Sequence, residues 1–147
     1  MSPGRLDPAV IADRASWIRS MVAGIRALPL DDFPSFASDR HQVAAAESYL
    51  RRAIEALVDL GRHILAKRFA LAVSEYRSIP KALAEVGVLD GAPVATFQEI
   101  CGYRNRLVHF YHLVSDEELY EVCAGQLEDL ELILGLLLDW VQANPDP

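Results

Sequence analysis

Between Arg40 and Lys67 apolar residues return every three or four positions: Val43, Ala46, Leu50, Ala53 with Ile54, Leu57, Leu60 with Gly61, and Ile64. A stripe kept up over that length follows the 3.6-residue turn of a helix and has none of the alternation of a strand. The chain must therefore build its core around one long helix whose apolar face needs partners. A second row on the same segment, Glu47, Arg51, Glu55 and Asp59, steps by four along another face. That spacing suits a solvated face carrying weak i,i+4 ion pairs, or a polar wall along a cleft between two copies.

The partners are legible as further helices. Asp7-Pro8 reads as an N-cap followed by proline in the first turn. A stripe of Val10/Ile11, Trp17/Ile18, Met21/Val22, Ile25 and Leu28 follows, until Pro29 ends it. Leu30 to Ser38, with Asp31, Asp32 and Pro34, reads as a loop anchored by Phe33 and Phe36. Ser78 to Val86 predicts a short helix, capped by Ser78 and stopped by Gly87. Asp90-Gly91-Ala92-Pro93 is a turn, and a fourth helix starts at Pro93 along Val94, Phe97, Ile100/Cys101 and Leu107/Val108. Ser115-Asp116-Glu117-Glu118 is a capping box with acids in the first turn. It opens a last helix that runs to Asn144-Pro145. The expected architecture is all-α: an antiparallel bundle of four long helices and one short one. We expect one domain over 1–147, with its core at about 7–142.

Composition narrows the function classes. A hydrophobic share of 52% with 24% charged residues is too apolar for a disordered chain. The longest apolar run, Leu132 to Leu138, falls well short of a membrane span. No secretion-signal layout is present, because Asp7 and Asp13 stand where its apolar centre would be, so a cytoplasmic location is expected with no membrane partner. Cys101 and Cys123 form neither a CxxC nor a Cys/His comb; no metal or disulfide is expected, and both read as small buried apolar residues. The net charge of −7 is uneven. Residues 1–106 hold all 14 Lys and Arg against 12 Asp and Glu, or +2; residues 107–147 hold nine acids and no Lys or Arg, or −9. Any surface for nucleic acid must then be a local patch.

Such a patch stands at the end of the fourth helix, in Tyr103-Arg104-Asn105-Arg106-Leu107-Val108-His109-Phe110-Tyr111-His112. Arginine grips a phosphate through parallel N–H bonds, and histidine exchanges a proton near neutral pH. RNA cleavage by attack of the ribose 2′-OH needs both capacities together. Arg104 and His109 are nevertheless five residues apart, roughly 140° around an ideal helix. For both to meet one phosphate the helix must loosen near its end, or a second copy must supply one of them.

Arg104-x4-His109-x-Tyr111, with Asn105 directly after the arginine, resembles the signature of the HEPN ribonucleases, specifically their HepT toxin branch. Arg51 to Gly61 is similar to that branch's second helix, and Glu85-Val86-Gly87-Val88-Leu89 to its junction before the motif helix. The resemblance covers about residues 7–142. It implies a homodimeric, metal-independent endoribonuclease toxin with no cofactor. Its implied partners are an RNA substrate and an MntA-like minimal nucleotidyltransferase antitoxin, which silences it by AMP transfer. Arg104 and His109 would be catalytic, and Tyr111 the AMPylated residue. Asn105, Arg106, His112 and Asp59 would support them: Arg106 and His112 in RNA or partner contacts, Asp59 as backing for the arginine. Phe110 departs from the small residue common in the branch and narrows the space beside His109. Two other readings stay open: a non-cleaving HEPN module that binds nucleotide and docks a nucleotidyltransferase, and a helical bundle serving interaction alone.

Overall fold

The computed structural model describes residues 4–147, so residues 1–3 of the expected domain lie outside it. Helix α3 (Arg40–Phe69) is the axis of the fold. Its start is set by Asp39, whose carboxylate accepts the His41 N–H at 2.8 Å. Every residue of the expected stripe is buried, and so are Ala56, Val58 and Leu65. The middle of α3 is therefore covered on more than one side.

Helix α1 (Pro8–Arg26) lies along it. The pair is antiparallel: Asp7 meets His63, Arg14 approaches Asp59, and Gly24 sits against the Tyr49 ring. Asp7 caps α1 as expected, accepting the Ala9 N–H at 2.9 Å. Ala15, Ile18, Met21, Val22 and Ile25 form the buried face. Trp17 does not join it and stays 44% exposed. One residue before Ile18, it is turned about 100° from the buried stripe.

The segment expected as a loop contains a helical turn, α2 (Phe33–Ala37), because Asp32 accepts the Ser35 N–H at 2.8 Å. Phe36 is fully buried as an anchor, and Phe33 packs edge-on against Tyr120. Helix α4 (Ser78–Glu85) begins without the expected cap, since Ser78 is its first residue and makes no capping bond. It ends as expected at Gly87 (φ +82): Gly87 N–H donates to Ala84 O (3.2 Å) and Val88 N–H to Leu83 O (2.9 Å), a Schellman closure. A Cβ on Gly61 would come within 3.0 Å of Ile79 and 3.1 Å of Leu83, so that glycine lets α4 sit close on α3.

Helix α5 (Ala92–His109) follows. The last expected helix is two, α6 (Asp116–Gly125) and α7 (Leu127–Ala143), broken at Gln126 (φ −124, ψ 9) just after a poorly helix-forming glycine. Among the described residues the architecture is all-α as expected, with seven α-helices rather than five. Cys101 and Cys123 are buried, and burial pushes both thiols up to about 12. No helix among the described residues is long and apolar enough to cross a membrane. The acidic C-terminal third is stitched to earlier elements by ion pairs: Arg26 to Glu131, Arg40 to Asp116, Arg68 to Asp146, and Arg106 to Glu118.

Candidate active site

The end of α5 carries the polar cluster, and its two halves differ sharply in exposure. Arg104 faces inward, its side chain only 16% exposed. Its guanidinium donates to Glu55 Oε1 on α3 (3.4 Å) and to Asn105 Oδ1 (3.2 Å), and it stands 4.0 Å over the Tyr76 ring. Its Nε is buried without a hydrogen-bond partner. Glu55 in turn accepts from Arg51 at 3.1 Å. The arginine is thus flanked by an anion and an aromatic face, a setting that favours one alignment of its guanidinium.

His109 is the last residue of α5 and is exposed. The helix stays regular up to it, so Arg104 and His109 point apart, and no hydrogen bond joins them. The chain stops being α-helical at Phe110 (φ −132, ψ 39) and turns through a 3-10 segment, Tyr111–Leu113. There Tyr111 stands 67% exposed, its ring edge-to-face with His112 at 5.9 Å. Phe110 is 50% exposed beside them.

Arg106 holds this turn in place. Its terminal nitrogens donate to both Glu118 oxygens (2.5 and 2.8 Å), and one also reaches Leu113 O (3.3 Å). Expected to meet RNA or a partner, Arg106 is instead occupied within its own chain. Glu118 keeps only half of the capping box: its N–H bonds Ser115 Oγ (3.1 Å) while its carboxylate serves Arg106. Asp59 likewise does not reach Arg104. It accepts from Arg62 (3.0 Å) and lies 3.9 Å from Arg14. One turn of α3 separates it from Glu55, the carboxylate that does meet the arginine. Glu55 and Tyr76 are the neighbours that sequence reasoning missed. Glu55 was visible as one of a row of equivalent polar positions; Tyr76, in an aperiodic segment, gave no signal.

A cavity of about 570 Å³ lies beside this end of α5 and is lined by Tyr103, Asn105, Arg106, Phe110 and Glu118 among others. It reaches none of Arg104, His109 and Tyr111, so it adjoins the cluster rather than containing it. Tyr103 Oη is buried without a partner, and burial drives its pKa upward. A smaller concavity of about 240 Å³ reaches Tyr111, with Arg40, Glu47 and Asp116 around it.

The helical fold is similar to that of solved toxin–antitoxin proteins. A tri-AMPylated HEPN toxin of Shewanella oneidensis, solved in complex with MNT antitoxin, superposes with a TM-score of 0.78 at 21% identity, covering 92% of this chain and 98% of that one. A toxin–antitoxin structure with AMP-PNP also superposes at 0.78, with 20% identity, covering 87% of this chain and 97% of that one. YutE of Bacillus subtilis, a cytosolic protein of unknown function, superposes at 0.79 with 17% identity over 97% of this chain and 95% of its own. At these identities the likeness establishes the fold. The chain belongs to the HepT-like family, since the family model described as ribonuclease HepT-like matches residues 18–136. No curated protein sequence matches it.

Proposed function

We propose that this protein is the endoribonuclease toxin of a toxin–antitoxin pair, working as a homodimer and cleaving RNA without a metal. The observation that carries the reading is the end of α5, where an enclosed, oriented Arg104 and an exposed His109–Tyr111 tip share one helix terminus. In the reaction the ribose 2′-oxygen forms a bond to its neighbouring phosphorus and the 5′-oxygen leaves. One base removes the 2′-proton and one acid protonates the departing oxygen, giving a cyclic phosphate and a 5′-hydroxyl. His109 suits the proton transfers, a role worth roughly 10²- to 10⁴-fold in rate. Arg104 suits the charge that builds on the phosphoryl oxygens. Because the two residues point apart within one chain, a site holding both draws them from two copies. Two facing His109 side chains then divide the base and acid roles.

Tyr111 is the proposed switch. Its exposed hydroxyl is open to a nucleotidyltransferase, and attack on the α-phosphorus of ATP with loss of pyrophosphate would attach AMP two residues from His109. The added phosphate charge and bulk would exclude an RNA phosphate. The Shewanella complex, an AMPylated toxin with its MNT partner, supports that reading by family.

The test compares purified wild type with His109→Ala on total RNA in the presence of EDTA. Wild type should cleave and the variant should not. Equal cleavage by both, or none by wild type shown by mass to be unmodified, overturns the proposal. Binding without cleavage would instead favour the non-cleaving module, a reading helped by the fact that Arg104 already has both Glu55 and Asn105 as partners.

A further inference from the structure

The segment 70–77 joins α3 to α4 without regular structure until a turn at its end, yet it is tied down along its length. It leaves α3 through Ala70 in the left-handed region (φ 53), with Leu71 N–H donating back to Leu65 O at 3.0 Å. Arg62 then fastens it, donating from Nε to Val73 O and from Nη2 to Ser74 O, both at 3.0 Å, while Nη1 bonds Asp59. All three Arg62 nitrogens are thus committed to holding one short strap against α3. What the strap delivers is Tyr76, whose ring takes the Arg104 guanidinium at 4.0 Å and that of Arg62 at 5.2 Å.

The other restraints on Arg104 are weak. Its two hydrogen bonds, at 3.2 and 3.4 Å, are long for charge-assisted contacts, and its Nε has no partner. The Tyr76 ring, 4.0 Å below the guanidinium carbon, therefore adds a restraint on the guanidinium plane that these two long bonds supply poorly. An aromatic face attracts the cation without taking up its N–H groups, which emerge at the guanidinium edge. Nη1 and Nη2 each carry a second N–H beyond the one given to Asn105 or Glu55, so a held plane is combined with donors still able to grip a phosphate.

We propose that Tyr76 is a positioning residue for Arg104: carried on the Arg62-tied strap 70–77, its ring sets the guanidinium plane so that the N–H edge meets the scissile phosphate. This rests on the ribonuclease reading for its catalytic consequence, but not for its geometry.

Two measurements test it. In cleavage assays Tyr76→Leu should lower kcat roughly tenfold, the scale of a partly desolvated cation–π contact, with KM changing much less. Tyr76→Phe, which keeps the ring, should restore kcat to near the wild-type value. In parallel, the ¹H–¹⁵N signal of the Arg104 Nε–H, assigned by its loss in Arg104→Lys, should move in Tyr76→Leu as the ring-current shift disappears, and hold in Tyr76→Phe. Should the leucine variant fail to fold, Tyr76→Met fills the space without a ring and is read in the same way. Unchanged kcat or an unmoved Arg104 signal in the ringless variants overturns the proposal, and so does a phenylalanine variant as impaired as leucine. If unmodified wild type cleaves no RNA, the ribonuclease reading fails, and the Arg104 signal alone decides whether Tyr76 positions it.

Discussion

The α1–α3 pair and the end of α5 are built on opposite terms. Along α1 and α3 the side chains of Ile18, Ile25, Leu50, Leu57 and Ile64 are all but completely buried. From His109 to Leu113 five consecutive residues are exposed, three of them large: Phe110 at 50%, Tyr111 at 67% and Leu113 at 60%. The first region is held by apolar surface, the second by a few polar ties such as the Arg106–Glu118 fork. Local opening should be easiest where few buried contacts resist it, and chemistry is commonly placed there. The molecule thus separates what keeps it folded from the region we propose it acts with, and Arg104 stands at the border between the two.

That separation can be broken in graded steps. The largest effect is expected at the tip: His109→Ala should lower cleavage by about 10²- to 10⁴-fold while leaving the unfolding free energy from denaturant titration within about 0.5 kcal/mol of wild type. A marked loss of stability there would make His109 structural and erase the contrast. Leu57→Ala, at the centre of α3, should do the reverse. It should cost about 2–5 kcal/mol in chemical denaturation, with cleavage per folded molecule preserved.

A smaller effect concerns pH. The neutral His63 ring accepts the Asp7 N–H at 3.0 Å, and burial, reinforced by Lys67, lowers its pKa from the ordinary 6.5. The unfolded chain then takes up this proton first as pH falls. The contribution is fully present above 6.5, declines as pH drops below that value, and levels off once the folded ring is protonated too. His63→Gln should flatten the slope of melting temperature against pH in that window; an unchanged slope would remove His63 as its source. The smallest expected change is Ala70→Gly, which relieves a left-handed alanine at the start of the strap and should stabilise by up to about 1 kcal/mol in urea titrations. Destabilisation would show that the strap depends on alanine's stiffness.

How much of this could be read from the chain depends on the range of the cause. The α3 stripe, the Asp7 cap, the Gly87 stop and the Ser115 start are local patterns, and the structure contains each of them. The break at Gln126 was not legible, because the apolar stripe passes through it without a change of period. Trp17 was placed with the core because it adjoins Ile18, and a stripe's edge is fixed only by what packs against it. At the site, the spacing of Arg104 and His109 already implied that they diverge, and the unbroken α5 keeps them so. Glu55 and Asp59 lie one turn apart on the same row, and only the crossing of α5 over α3 decides which one meets Arg104. Tyr76 reaches Arg104 through a strap whose course is set by Arg62, a tertiary tie with no sequence period.

The ion pairs between the acidic last third and the earlier helices have a consequence for how the chain assembles. Each exposed pair adds at most about 1 kcal/mol at equilibrium. The nine like charges of residues 107–147, however, act on one another before any contact forms. Detached, that segment repels itself, and it contains no Lys or Arg to relieve the repulsion. Arg26, Arg40, Arg68 and Arg106 all precede it in the chain and will have been synthesised first. Docking of the C-terminal helices onto the arginines of the earlier ones should therefore be the part of folding most sensitive to ionic strength.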